Sequence, residues 1–205
     1  MRIFVSGLIA VFILASCAFA TDVAPGGTAT CGPTSGVGCN LGGTHPASNA
    51  IDGLSNTQWI APSDAVDPYV LVALAQPSTV DYVTVEGVGN AGYYLTFEIF
   101  VGTSSSVSTL MSSGTDITGG PVTITGTGGS PGWSDTYTVS TASPIDYVLY
   151  YVTASNGNSG GAAGTYDDAY VQEIVVDAVP EPVTLGLFGA GLLALGFARR
   201  FRIRK

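Results

Sequence analysis

Residues Tyr69 to Val101 read "YVLVALAQPSTVDYVTVEGVGNAGYYLTFEIFV". Apolar side chains alternate with small or polar ones in "YVLVALA" from Tyr69, "VDYVTVEGV" from Val80 and "YLTFEIFVG" from Tyr94, with turn residues between the runs. A period of two puts every second side chain on one face of an extended chain, as a strand covered on one side requires. The signal returns in "DTYTVS" from Asp135, "IDYVLYYVTA" from Ile145 and "AYVQEIVVDA" from Ala169. Residues 104–132, rich in Ser, Thr and Gly, read as long loops around one short strand, "PVTIT". No amphipathic helix of comparable length appears. Six or more strands with turns between them predict an all-β sandwich or jelly roll, whose layering protects the strand edges.

Charge frames this domain. Arg2 stands at one end and Arg199, Arg200, Arg202, Arg204 and Lys205 crowd the other, so Thr21 to Ala198 holds no Lys or Arg while all 15 carboxylates lie between. A surface without cations cannot displace counterions from phosphates, so nucleic acid and anionic lipid are poor partners. Neutral or cationic ligands suit it, and calcium would relieve repulsion among carboxylates that lack internal Lys or Arg partners. Trypsin finds no cleavage site in this whole region. Without its two ends the chain keeps roughly 155 residues, enough for one core.

The first 20 residues, "MRIFVSGLIAVFILASCAFA", have the charged, apolar and A-x-A order of a secretory signal peptide, with cleavage expected after Ala20. A competing reading starts from "LASC" at Leu14 to Cys17, which resembles the lipobox of bacterial lipoproteins. Residues 21–43 form a Gly-rich lead-in that carries Cys31 and Cys39 in "CGPTSGVGCN". In an oxidising compartment a pair at this spacing is expected to form a local disulfide, the alternative being two free thiols; a zinc site lacks ligands nearby.

At the other end Val183 to Ala198 is uncharged throughout. As a helix it would extend about 24 Å, a marginal transmembrane span beside a hydrocarbon core of about 30 Å. The basic cluster behind it should stay cytoplasmic. Pro180-Glu181-Pro182, the Gly-rich apolar helix and the terminal Arg cluster, in that order, resemble the PEP-CTERM sorting signal of Gram-negative bacteria, here residues 179–205. That resemblance implies transient anchoring in the inner membrane and processing by an exosortase, a membrane-embedded cysteine protease or transpeptidase, before release to the cell surface or beyond. The two prolines keep the backbone extended, the form a protease needs.

A second resemblance covers residues 44–178. "HPASNAIDGLSNTQW" from His45 to Trp59, then "DPYVLVALAQPSTVDYVTV" and "YLTFEIFVGTS", and finally "DYVLYYVTAS" and "DDAYVQEIVVDA", are similar to discoidin-like domains. These are the galactose-binding-like jelly-roll β-sandwiches of coagulation factor C domains and many carbohydrate-binding modules. Ala73 stands where the family usually has Asp, and the family's "RYVR" arginine is absent. The resemblance implies that Trp59 enters the core and that calcium is held by Asp52, Thr57, the carbonyl of Ala169, and Glu173. In the turn that holds Asn49, Asp52, Gly53, Thr57 and Trp59, the residues alone also fit a plain Asx turn, Asp52 bonding nearby amides and Gly53 supplying positive φ.

Sugar sites pair an aromatic platform with small polar groups, which makes Trp133, Tyr93, Tyr94 and Tyr166, in or beside Gly-rich loops, the candidate ligand-binding residues. For any one of them the commoner role is to cover a strand end, and Trp133 is the foremost candidate. His45 is the single histidine, and no catalytic constellation assembles around it. Asp167-Asp168 reads as solvated or metal-facing rather than as a glycosidase pair. The expected function is an exported matrix protein, not an enzyme, that binds exopolysaccharide or another glycan; the alternative is a structural or adhesive biofilm component without specific ligand recognition.

Overall fold

Alternating strands need a layer to bury their apolar side, and here two sheets supply it to each other. The computed structural model describes residues 21–32, 43–61, 67–87, 93–126, 132–155 and 169–179. The leader 1–20, Cys39, Tyr166, Asp167, Asp168 and the tail from Pro180, with its expected transmembrane helix, lie outside them. Among the described residues no helix is long and apolar enough to cross a membrane.

One sheet has four strands: β1 (Thr21–Asp22), β12 (Glu173–Ala178), β5 (Val80–Gly87) and β9 (Trp133–Thr138), in that order. The other is built on β2 (Thr28–Gly32), β4 (Tyr69–Ser78), β10 (Ile145–Ser155), β6 (Tyr94–Gly102) and β7 (Thr115–Asp116), with β8 (Val122–Thr125) also paired to β6. A short ribbon joins β3 (Trp59–Ile60) to β11 (Tyr170–Val171). Only Thr79 separates β4 from β5, so the chain turns from one sheet into the other at that corner.

Parity along the strands decides what is buried. Val83 and Val85 of β5 and Ile174 and Val176 of β12 share one core with Val70 and Val72 of β4, Phe97 and Ile99 of β6, and Val148 and Tyr150 of β10. Each such aliphatic side chain contributes about 1.5–3 kcal/mol when fully buried. The outer face of the six-stranded sheet carries a second cluster, Leu71, Phe100, Leu149 and Tyr151, covered by Leu110 of a helix, α1 (Val107–Ser113). Ser106 caps that helix by accepting a 3.4 Å hydrogen bond from the Thr109 amide. Gly114 closes it with a 2.8 Å bond to the Leu110 carbonyl.

Three sequence expectations change. Residues 104–132 contain α1 and β7 as well as the expected "PVTIT" strand. The Gly-rich lead-in contributes β1 and β2, one to each sheet, because their backbone groups pair with β12 and β4. The run "AYVQEIVVDA" is not one strand. It breaks at Gln172, where the chain leaves β3 as its partner and takes up β5, and the Gln172 amide bonds the Glu86 carbonyl at 2.8 Å.

The pairings Gly87 with Trp133, Glu86 with Glu173, Leu95 with Ser155, Tyr94 with Thr125 and Tyr69 with Tyr151 align the strand ends that bracket residues 62–66, 88–92, 127–131 and 156–168. All of those strand ends therefore lie at the same end of the sandwich.

Candidate functional site

The turn from His45 to Trp59 sits at that end, against the start of β12. A 3₁₀ turn, Ala47–Ala50, buries both its alanines, and the Asn49 side-chain amide donates a 3.0 Å bond to the Gln58 carbonyl, which ties the two arms of the turn together. Asp52 Oδ1 accepts from the Leu54 amide and from Thr57 Oγ1, both at 2.9 Å. Gly53 adopts φ +74°, the left-handed conformation that favours glycine. Trp59 then drops fully buried into the core.

Glu173 reaches this turn from 120 residues away. Its Oε2 accepts a 3.1 Å bond from the Gly53 amide, while Oε1 is buried with no hydrogen-bond partner. Burial and then the charge of Asp52 push the Glu173 carboxyl up to about 7, against the stabilising Gly53 bond. Glu86 stands directly opposite it across β5 and β12, another like charge. The Gln172 side-chain amide donates to the Ser55 carbonyl and fastens the turn to the same strand end.

Asp52, Thr57 and Glu173 are thus brought together around Gly53. Ala169 lies just before β11, and its carbonyl accepts a 2.9 Å bond from the Ala61 amide. Two carboxylates and a hydroxyl, with an orphaned carboxylate oxygen and no Lys or Arg from Thr21 to Ala198, are donors of the kind a hard divalent cation takes, while the Ala169 carbonyl is already engaged by the Ala61 amide. Among the described residues no three His, Cys, Asp or Glu side chains cluster as a denser metal site would require.

The aromatic candidates fall elsewhere. Tyr93 is 3% exposed and packs edge-on against Tyr170, 5.5 Å between ring centroids. Trp133 is half-buried and stacks on Phe97 at 5.9 Å and 22°, its other contacts lying over Gly87, and its indole nitrogen is shielded from water. Both rings pack against the core of the sandwich, the strand-covering role, rather than standing as open platforms. Tyr94 is half-buried opposite Thr125. Cys31 is disulfide-bonded, as expected for an oxidising compartment.

The sequence reading passed over the aromatics that the sheets do present. Tyr82 is 43% exposed on the outer face of β5, and its outward parity in "VDYVTVEG" was the signal. Tyr69 lies half-buried on the outer face of β4.

Comparisons place this geometry. Residues 34–160 match the F5/8 type C domain, and residues 178–202 match the PEP-CTERM protein-sorting motif. No curated protein matches the chain. Among solved structures, a fucolectin from striped bass (Morone saxatilis) serum aligns with a TM-score of 0.55 at 20% identity, covering 78% of this chain and 50% of that one. The chain therefore spans half the length of the fucolectin. Chitosan-binding module 1 of a chitosanase/glucanase from Paenibacillus sp. IK-5 aligns with a TM-score of 0.50 at 25% identity, covering 76% and 98%. A family 32 carbohydrate-binding module from Clostridium perfringens, in complex with GlcNAc-α-1,4-galactose, gives 0.54 at 15% identity, covering 80% and 97%. The paired antiparallel sheets are the galactose-binding-like sandwich of these modules, and the protein belongs to the F5/8 type C, or discoidin-like, domain family and carries a PEP-CTERM sorting motif at its C-terminal end.

Proposed function

We propose that this is a surface protein that an exosortase sorts and that binds an extracellular glycan, the producer's own exopolysaccharide above all. The observation that carries the reading is the pairing, in one chain, of a discoidin-like domain with a PEP-CTERM motif, the mark of a secreted protein sorted through a membrane-anchored step. Composition narrows the ligand. With no Lys or Arg from Thr21 to Ala198, the domain has no fork of donors with which to hold a sugar carboxylate or sulfate, so a neutral or amine-bearing glycan fits. The Paenibacillus relative is a chitosan-binding module, which agrees with that class.

Calcium is part of the same proposal. Asp52, Thr57, the Ala169 carbonyl and Glu173 would hold it, and the ion would neutralise the Asp52 and Glu173 charges and fix the turn to β12. The ion's role is structural: it would brace the end of the sandwich from which the bracketed segments leave.

Pull-down of the folded protein on the producer's exopolysaccharide, followed by a glycan array, tests the reading. Retention on the polymer with selective array signals is expected; uniform absence of binding by protein with a cooperative melt sinks it. A second reading, a matrix component without specific ligand recognition, is favoured by the burial of Tyr93 and the packing of Trp133 on Phe97. Matrix association that persists in a variant unable to bind any arrayed glycan would establish it.

A further inference from the structure

We propose a saccharide-binding groove on the outer face of the six-stranded sheet, between α1 and the exposed sides of β2 and β4, that takes an uncharged sugar. The glycan reading supplies the ligand class; the position is new, because the groove lies on the outer face of the six-stranded sheet and shares no residue with the Asp52 and Glu173 turn. The groove has a volume of about 460 Å³, within the range of about 300–1,000 Å³ typical of small-molecule sites. Tyr69 and Leu71 of β4 and Val107 and Met111 of α1 supply its apolar surface.

Tyr69 is laid flat by its cross-strand neighbour. It pairs with Gly32 on the edge strand β2, where a Cβ would stand 2.6 Å from the tyrosine oxygen and 2.7 Å from its ring carbon Cζ. Only glycine lets the ring lie across the strand there, and a ring lying down is a platform. Met111 is 39% exposed on the helix side, a large apolar side chain held in water at the groove wall. Beneath them Leu110, Leu149 and Tyr151 are buried, so the floor is packed and does not collapse into the sheet.

The remaining lining is hydroxyl: Thr30, Ser105, Ser106 and Ser108. Ser106 is held as the helix cap and meets Ser108 Oγ at 3.1 Å, and Thr30 Oγ1 donates to the Leu71 carbonyl at 3.5 Å, so these groups are positioned rather than free to rotate. No carboxylate lines the groove, although carboxylates are the only fixed charges from Thr21 to Ala198. An aromatic face with a rim of hydroxyls and no charge matches a pyranose, which offers an apolar C–H face and equatorial hydroxyls. It offers nothing to a charged ligand.

The test uses the full-length chain in a detergent without a sugar headgroup, exposed to diazirine-bearing galactose and N-acetylglucosamine and digested with Glu-C and chymotrypsin. Adducts on Thr30 or on Ser105 to Met111 are expected, and Ser105→Trp, a change at an exposed position that fills the groove, should cut them at least fivefold with its melting temperature intact. Labelling untouched by Ser105→Trp, or confined to other segments, overturns the groove while leaving the glycan reading in place. Labelling absent altogether also overturns it, and the exopolysaccharide pull-down then decides the function separately. Binding of an apolar dye that Ser105→Trp removes, without sugar labelling, would identify a groove for an apolar partner and equally overturn the saccharide assignment.

Discussion

On the outer side of β5 and β9, Thr84 and Thr136 share a 2.8 Å hydrogen bond and Glu86 accepts one of 3.3 Å from Ser134. On the outer side of β4, β10 and β6, Leu71, Leu149, Phe100 and Tyr151 lie buried under Leu110. The first face is wet and its strand alternates, "VDYVTVEG". The second is dry, and β10 runs "YVLYYV" without alternation, because both of its sides are covered. Alternation and its loss therefore count how many faces of a strand are covered, even within one domain.

The largest test removes what both faces share. Trp59→Ala takes a fully buried indole from the common core and should cost about 3–5 kcal/mol in urea unfolding; a loss under about 1 kcal/mol would mean that Trp59 does not anchor the sandwich. Next, Leu110→Ala attacks the dry face alone and should cost about 2–4 kcal/mol. If it costs no more than a surface change, the second cluster is not a true layer and the contrast between the faces fails.

The wet face is tested through its like charges. Glu173 titrates near 7 in the fold against an ordinary 4.5, so the folded state holds that proton more tightly than the unfolded chain. Its favourable contribution is complete below pH 4.5 and is lost as pH rises through 7. Without metal, the melting temperature should fall by several degrees over that interval. Glu173→Gln should flatten the dependence, and calcium should restore the wild-type melt at pH 8 but not that of the variant. A wild-type melt that is independent of both pH and calcium would remove the metal proposal. Smaller again, Ser106→Ala should loosen the helix cap by about 1 kcal/mol. Smallest is Thr84→Ala, within about 0.5 kcal/mol as for ordinary surface changes; a larger effect would show that the wet face is more than a solvated surface.

How much of this was legible follows from how far each cause lies from its effect along the chain. The strand starts at Tyr69, Val80, Tyr94 and Ile145 coincide with the sequence periods, since local alternation creates them. Asp52 and Gly53 were readable as a turn because the Asp52 bonds close within five residues and the positive φ of Gly53 is local, whereas the Gly53 bond to Glu173 spans 120 residues and left no local mark. Helix α1 was not: seven Ser-rich residues are too short to display a 3.6 period, and Leu110 and the Ser106 cap hold it in place. The break at Gln172 was hidden because a bend of one residue between two strands leaves the apolar pattern on either side unmarked. Which role Trp133 and Tyr93 take was not legible, because their packing is set by Phe97 and Tyr170, contacts that composition beside a loop does not reveal.

The neighbouring positions of β1 and β12 bear on timing. Val23 donates a 2.9 Å bond to the Val176 carbonyl, and the Val176 amide bonds Asp22 Oδ1 at 3.0 Å across 154 residues. A chain secreted with its N-terminus leading must hold its first strand unpaired until nearly the whole domain has crossed, and such long-range closure is slow. The strand that completes the sheet is the one immediately ahead of the sorting motif. The domain can therefore close only once almost all of it, up to the residues that run into the sorting motif, is available to pair.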